Sequence, residues 1–391
     1  MTAPRDGDGP IPGGTSTGSK RREVLFGDRE GPGRMVRSAG CRLWDERGRE
    51  FIDLGMALGA VALGYGHPAV RAAAERALRA GGVGTLPPVE EQALAERLLP
   101  WVPGAEAVRF LKTGAEAVAA AVRIARVATG RDVVFSCGYH GWLDWSQAEP
   151  GVPAAVRGLH RVLRFNDGAD LEQALQQHPR PCALVIEPVV EQAPDPTWLR
   201  AARDAATRAG AVLVFDEIKT GIRFGPGGAA RRYGVPPDLV VLGKALGNGL
   251  PIAAVTGPRA LMAAAARTWI SSTLATESVA LAAGLAVLEV CETTDAVARV
   301  AAGGERFLAG LRSLADAYPH VVAGVGGVAE FSFLRFRDDA AGARVAAGAA
   351  ARGVLLRRGP YNFVSLAHDD ATIAAALERV GEAVGEVGAA C

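Results

Sequence analysis

Val212-Leu213-Val214-Phe215-Asp216-Glu217 is the stretch on which the fold turns. Four apolar residues, three of them β-branched or aromatic, run straight into two acids. Such a run reads as a strand buried on both faces, the kind found in parallel sheets covered by helices. Side chains alternate along a strand, so Asp216 and Glu217 leave on opposite sides and at most one of them faces a given ligand. Outward from this strand, similar runs recur at 108–111, 133–136, 183–186, 239–242 and 252–255. Between them, 116–128, 171–177 and 199–209 carry apolar residues at helical spacing. The alternation predicts an α/β fold, a mostly parallel central sheet wrapped by helices, with ligands beyond the carboxyl ends of the strands.

The two ends of the chain read differently. Residues 41–45, the turn Glu46-Arg47-Gly48 and residues 51–53 predict a hairpin. After helical stretches at 278–289 and 296–317, strand-like runs at 329–336, 354–357 and 363–366 alternate with helical patterns at 340–351 and 371–384. The expected division is a flexible tail over 1–18, the N-terminal part of a small domain over 19–67, a large domain over 68–290, and the rest of the small α/β domain over 291–391.

Composition narrows the function. In 391 residues, 43 Lys and Arg against 42 Asp and Glu leave a net charge of +1, so the chain lacks the single-signed field of a duplex-binding protein. Cys41, Cys137, Cys182, Cys291 and Cys391 lie far apart with no CxxC pair. That spacing predicts no disulfide framework, no metal site and a reducing, cytoplasmic location. No apolar run reaches the ~18 residues of a membrane helix.

Three further segments carry chemistry. The strand ending at 242 runs into Gly243-Lys244-Ala245-Leu246-Gly247-Asn248-Gly249. A lysine among glycines after a buried strand reads either as a desolvated, nucleophilic amine or as a side chain reaching out of a loop. A Walker A loop is excluded, because neither Ser nor Thr follows Lys244. Lys112-Thr113-Gly114-Ala115-Glu116 is a helix start, and free amides there bind phosphate, although ordinary helices begin the same way. In Cys137-Gly138-Tyr139-His140-Gly141-Trp142, glycines bracket an aromatic pair that either lies against a planar ligand or packs within its loop.

In order and spacing these segments resemble the class III aminotransferases, fold type I enzymes dependent on pyridoxal 5'-phosphate, over about residues 19–384. The motifs that carry the resemblance are Phe215-Asp216-Glu217 with Thr220-Gly221 and Arg223, then Gly243-Lys244-Ala245. Leu63-Gly64, Gly66-His67-Pro68 and Tyr139-His140-Gly141 reinforce them. The resemblance implies that Lys244 is the internal aldimine lysine and proton shuttle, and that Asp216 pairs with the pyridine nitrogen. It implies that Thr113, Gly114 and Ala115 cradle the phosphate and that Tyr139 stacks on the ring. Ser272-Thr273 is similar to the segment that reaches the phosphate of a partner subunit, which implies a homodimer with shared sites.

Within the class, Phe363-Val364-Ser365-Leu366-Ala367-His368 is similar to the tail of glutamate-1-semialdehyde aminomutases and their biosynthetic relatives. No arginine stands near Ser365, where acetylornithine-type members carry one, and Arg357 or Arg358 is the candidate replacement. Lys219 stands where relatives often have a neutral residue close to the cofactor's phenolic oxygen, and Thr276-Glu277-Ser278 replaces a common Gly-Asn-Pro. The activity implied is transfer of an amino group from an amino acid to an oxo acid, aldehyde or ketone in a biosynthetic pathway. An intramolecular aminomutase and a non-catalytic relative of the fold are the alternatives.

Overall fold

The structure is a computed structural model and describes residues 9–389. Of the expected tail, residues 1–8 lie outside the described residues, as does Cys391; residues 9–17 are mostly turns and bends before a single 3-10 turn, Gly18–Lys20. The chain divides into two units. One takes Ala60–Ala62 and His67–Val297, the other Leu63–Gly66 together with the chain up to Gly59 and from Ala298 onward.

The second, smaller unit begins with three antiparallel strands, β1 (Met35–Ala39), β2 (Arg42–Asp45) and β3 (Glu50–Asp53). The hairpin expected over 41–53 is β2 and β3. Its turn is held by the buried Asp45 carboxylate, which accepts the Arg47 and Arg49 amides at 3.0 and 2.9 Å. β1 carries no alternating pattern because most of it faces solvent.

The larger unit is built on seven strands: β4 (Ala107–Leu111), β5 (Val134–Cys137), β6 (His160–Val162), β7 (Ala183–Ile186), β8 (Val212–Asp216), β9 (Leu239–Leu242) and β10 (Ala253–Gly257). Their spatial order is β4-β10-β9-β8-β7-β5-β6. All neighbours are parallel except β10, which runs antiparallel to both β4 and β9. The sheet is therefore mixed. A parallel return needs a crossover of a dozen or more residues, and only residues 243–252 separate β9 from β10. That short link folds as a 3-10 turn, Lys244–Gly247, and the chain comes straight back.

Both faces of the sheet are dry. Val214, Val185, Val241 and Val255 pack with Val118, Ile124 and Ala121 of the helix Gly114–Thr129. Leu213, Phe215, Leu184 and Phe135 pack with Trp198, Leu199 and Ala202 of the helix Pro196–Ala209. Alternate residues of β8 thus enter opposite cores, as a doubly covered sheet requires. The helix Gly114–Thr129 is fixed at both ends. Thr113 and Glu116 form a reciprocal capping box, and Gly130 closes it in the left-handed conformation at φ 66°.

The smaller unit is completed by β11 (Val322–Val328), β12 (Phe331–Phe336), β13 (Val354–Leu355) and β14 (Asn362–Phe363). β11, β12 and β14 form one antiparallel sheet, while β13 adds in parallel to β3. Ile52, Leu334, Val354, Val345, Ile373 and Val380 share its core.

Candidate active site

The carboxyl ends of β4, β5, β7, β8 and β9 open onto one cavity of about 460 Å³ within the larger unit. Its walls include Thr113, Gly114, Ala115, Tyr139, His140, Glu187, Asp216 and Lys244. Strands that end together in a parallel sheet leave a crevice there, so residues distant in sequence meet.

Lys244 follows β9 with a left-handed backbone, φ 47°. A non-glycine residue in that region is held there by its surroundings, and such residues cluster at functional sites. Burial disfavours the ammonium and brings the amine down to about 8. Glu187 and Asp216 oppose that shift, and Lys219 and Arg223 assist it. An amine partly deprotonated near neutral pH is a nucleophile.

Asp216 and Glu217 separate as strand alternation requires. The Asp216 carboxylate meets His140, Nδ1 to Oδ2 at 2.8 Å, both side chains almost fully buried. His140 also stacks on Trp145, with centroids 6.0 Å apart. Glu217 turns the other way, accepting the Ala229 and Ala230 amides at 2.6 and 3.2 Å and the Thr220 hydroxyl at 3.0 Å. Burial pushes Glu217 up to about 7. It belongs to the packing of the segment 217–230, which holds the short helix Gly221–Phe224 and the start of Gly228–Tyr233.

The helix Gly114–Thr129 directs its N-terminus into the cavity wall. The Thr113 hydroxyl is occupied in the capping box, which leaves the first-turn amides at Gly114 and Ala115 for an anion. Close approach is built in. A Cβ on Gly114 would meet Ile218 at 2.5 Å, and one on Gly141 would meet Ala115 Cβ at 2.4 Å. Tyr139 lines the cavity and is 68% exposed, an aromatic face open to a planar ligand.

Ser272 and Thr273 lie in the loop before the helix Ser278–Thr293 and are not among the residues lining this cavity. Thr276-Glu277-Ser278 has a local role: Glu277 caps that helix and also takes a bond from Lys112 Nζ at 2.8 Å. Lys219 is buried and ion-paired with Glu187 at 3.1 Å. In the smaller unit, Arg358 pairs with Asp339 and donates to the carbonyls of Glu23 and Val24. Arg357 instead lines a cavity of about 330 Å³ with Asp53 and Tyr65.

Two residues of the large-unit cavity escaped the sequence reading. Glu187 follows β7 in Ile186-Glu187-Pro188, the same apolar-run-then-acid pattern that singled out Asp216. His140 stood beside Tyr139 in the quoted motif, but only coordinates reveal its bond to Asp216.

A helix N-terminus for a phosphate, an amine near neutrality for an aldehyde, a buried carboxylate for a ring nitrogen and an open aromatic face are the donor set that pyridoxal phosphate needs. A profile of the aminotransferase class-III family matches residues 28–384. The chain belongs to that family. It is a transaminase whose cofactor is pyridoxal 5'-phosphate.

This aminotransferase is also similar to solved structures. One is the pyridoxal-phosphate internal aldimine form of the FumI protein from Sphingopyxis sp. MTA144, at 27% identity and TM-score 0.91, covering 97% of this chain and 94% of that one. A transaminase with pyridoxal phosphate bound gives 26% identity and TM-score 0.88, covering 97% and 96%. An omega-transaminase from Sphaerobacter thermophilus gives 25% and 0.86, covering 97% and 95%. The fold is that of fold type I transaminases. Among the described residues, no helix of this aminotransferase is long and apolar enough to cross a membrane.

Proposed function

We propose that Lys244 is the amine that carries the cofactor and moves the substrate's Cα proton, and that Asp216, oriented by His140, holds the pyridine nitrogen protonated. Bound pyridoxal phosphate supplies an electrophilic aldehyde and an electron-accepting ring. The protein's part is to place charge. The Asp216 carboxylate, held 2.8 Å from the His140 imidazole, would keep one orientation toward the nitrogen of a bound ring, and a lysine at about 8 can both give and take a proton near neutrality. Gly114 and Ala115, with Thr113 beside them, anchor the phosphate, and Tyr139 covers the ring. The observation that carries this reading is the presence of Lys244 and the Asp216–His140 pair in the walls of one cavity.

The reaction we infer is transfer from an amino acid donor to an oxo acid, aldehyde or ketone, in a biosynthetic setting and in the cytoplasm, where the buried thiols of Cys41, Cys137 and Cys182 stay reduced. The glutamate-1-semialdehyde aminomutase-like branch is the second reading, supported by Phe363-Val364-Ser365-Leu366-Ala367-His368. Ser272 and Thr273, off the chain's own cavity, fit a homodimer in which each serves the partner's phosphate; full activity from a sedimenting monomer excludes that. The test of the reaction is incubation of the loaded protein with amino donors alone. A transaminase releases one oxo acid per site without any acceptor, and an aminomutase retains the amino group. Failure of a broad donor panel to yield oxo acid contradicts the transferase reading.

A further inference from the structure

Two buried lysines stand near Glu187, and only one of them is paired with it. Lys219, three residues past the end of β8, is 4% exposed at its side chain, and its ammonium lies 3.1 Å from Glu187 Oε1. The other Glu187 oxygen accepts the Tyr139 amide at 3.0 Å. Glu187 is also hemmed in. Gly138 has φ 110°, and a Cβ there would sit 2.7 Å from Oε2. The carboxylate is therefore tied at both oxygens and cannot swing to another cation without giving up one partner.

We propose that Lys219 is a positioning residue for the transaminase reaction: by occupying Glu187 in the wall of the Lys244 cavity, it keeps that carboxylate from pairing with Lys244 and leaves Lys244 as the free amine. The proposal rests on the assignment of Lys244 above. The charges that bear on Lys244 are Glu187 and Asp216 on one side and Lys219 and Arg223 on the other. Asp216 is engaged with His140, and Lys112 in the cavity wall is engaged with Glu277. Removing Lys219 takes away one cation and releases Glu187 toward Lys244. Both changes favour the protonated form. A structural ion pair alone would stabilise the loop without moving the acidity of Lys244.

The experiment is a pH titration of the visible absorbance of bound pyridoxal phosphate in the wild type, Lys219→Met, Lys219→Arg and Glu187→Gln, each checked for cofactor stoichiometry. That absorbance reads the proton on the Lys244 nitrogen once it is linked to the cofactor and exposed to the same charges. The expected midpoint for Lys219→Met is higher by about one pH unit, a tenfold gain in proton affinity. Lys219→Arg stays close to the wild type. Glu187→Gln moves the midpoint down, because it deletes the charge that opposes Lys219. An unchanged midpoint in Lys219→Met, or shifts of the same sign in Lys219→Met and Glu187→Gln, overturns the proposal while leaving Lys244 as the anchor. If Lys219→Met does not fold, Lys219→Gln is read in its place: a rise supports the proposal, and no change or a fall overturns it. Borohydride reduction of the loaded wild type that leaves the cofactor on a residue other than Lys244 overturns the assignment of Lys244 and this proposal with it.

Discussion

Each unit of the protein contains a cavity with a buried aspartate in its wall, and the two aspartates are settled in different ways. In the smaller unit Asp53 accepts the Tyr65 hydroxyl at 2.6 Å and the Gly55 amide at 2.7 Å. Burial raises both Asp53 and Tyr65, and at Asp53 the hydrogen bonds from Tyr65 and Gly55 oppose the shift, so the carboxyl and the phenol are spent on each other. In the larger unit Asp216 has an imidazole partner, while the Lys244 amine in the same wall is left short of compensation. Shifted groups that are hydrogen-bonded to each other stabilise a fold; a shifted amine that faces a cavity with no ion pair among the described residues is built for reaction. Helix ends sharpen the contrast. The large-unit cavity includes the N-terminus of Gly114–Thr129 and the small-unit cavity has no comparable long-helix start among its lining residues.

The largest effect that separates the two cavities is expected from Lys244→Ala. Turnover falls by about 10⁴-fold or more, since a nucleophile acting as a unit with its partners is lost. Steady-state assay at saturating cofactor checks it, and near-normal turnover breaks the comparison at once. Asp216→Asn comes next. The cofactor still enters, but kcat drops by about 10²–10³-fold because the ring nitrogen loses its counter-charge. A loss below about tenfold, ~1.4 kcal/mol, removes that role.

Asp53→Asn acts on the other cavity and on a different quantity. The Tyr65 hydroxyl loses its carboxyl acceptor, and stability falls by about 1–3 kcal/mol in denaturant unfolding, with kcat affected far less than by Asp216→Asn. Equal losses of kcat from the two aspartates would erase the distinction.

The smallest effect is a pH slope. Lys244 is lowered in the fold from an ordinary 10.5 to about 8, so between those values the unfolded chain binds more protons than the native one. The cofactor-free protein therefore gains stability as pH rises from about 8 toward 10.5, and its penalty is complete below 8. Lys244→Met abolishes this contribution to the slope and raises stability at pH 7 by an amount on the order of 1–3 kcal/mol. Urea unfolding of both proteins at pH 7 and 10 reads the difference.

The central strands were legible in the sequence because burial on both faces leaves β7 and β9 wholly apolar and β8 apolar up to its last residue. β8 and β9 are wholly buried, and the expected runs at 183–186 and 239–242 coincide with β7 and β9. β6 escaped notice because its three residues His160–Val162 are partly exposed and too short to show a period. The antiparallel direction of β10 is a matter of link length, which the apolar pattern of 252–255 does not encode. At the cavity, Lys244, Asp216, Gly114 and Tyr139 were readable because each lies at the end of a strand or within three residues past it. The pairs His140–Asp216 and Lys219–Glu187 were not, since each joins the ends of two different strands and exists only once the sheet has formed.

The central claim, that Lys244 rather than Lys219 carries the cofactor, is tested most directly by reducing the loaded protein with borohydride, digesting it and locating the modified lysine by mass spectrometry. The account predicts the phosphopyridoxyl mass on the peptide containing Lys244, and no such mass in Lys244→Ala. Modification of Lys219, or of any other lysine with Lys244 untouched, would contradict it.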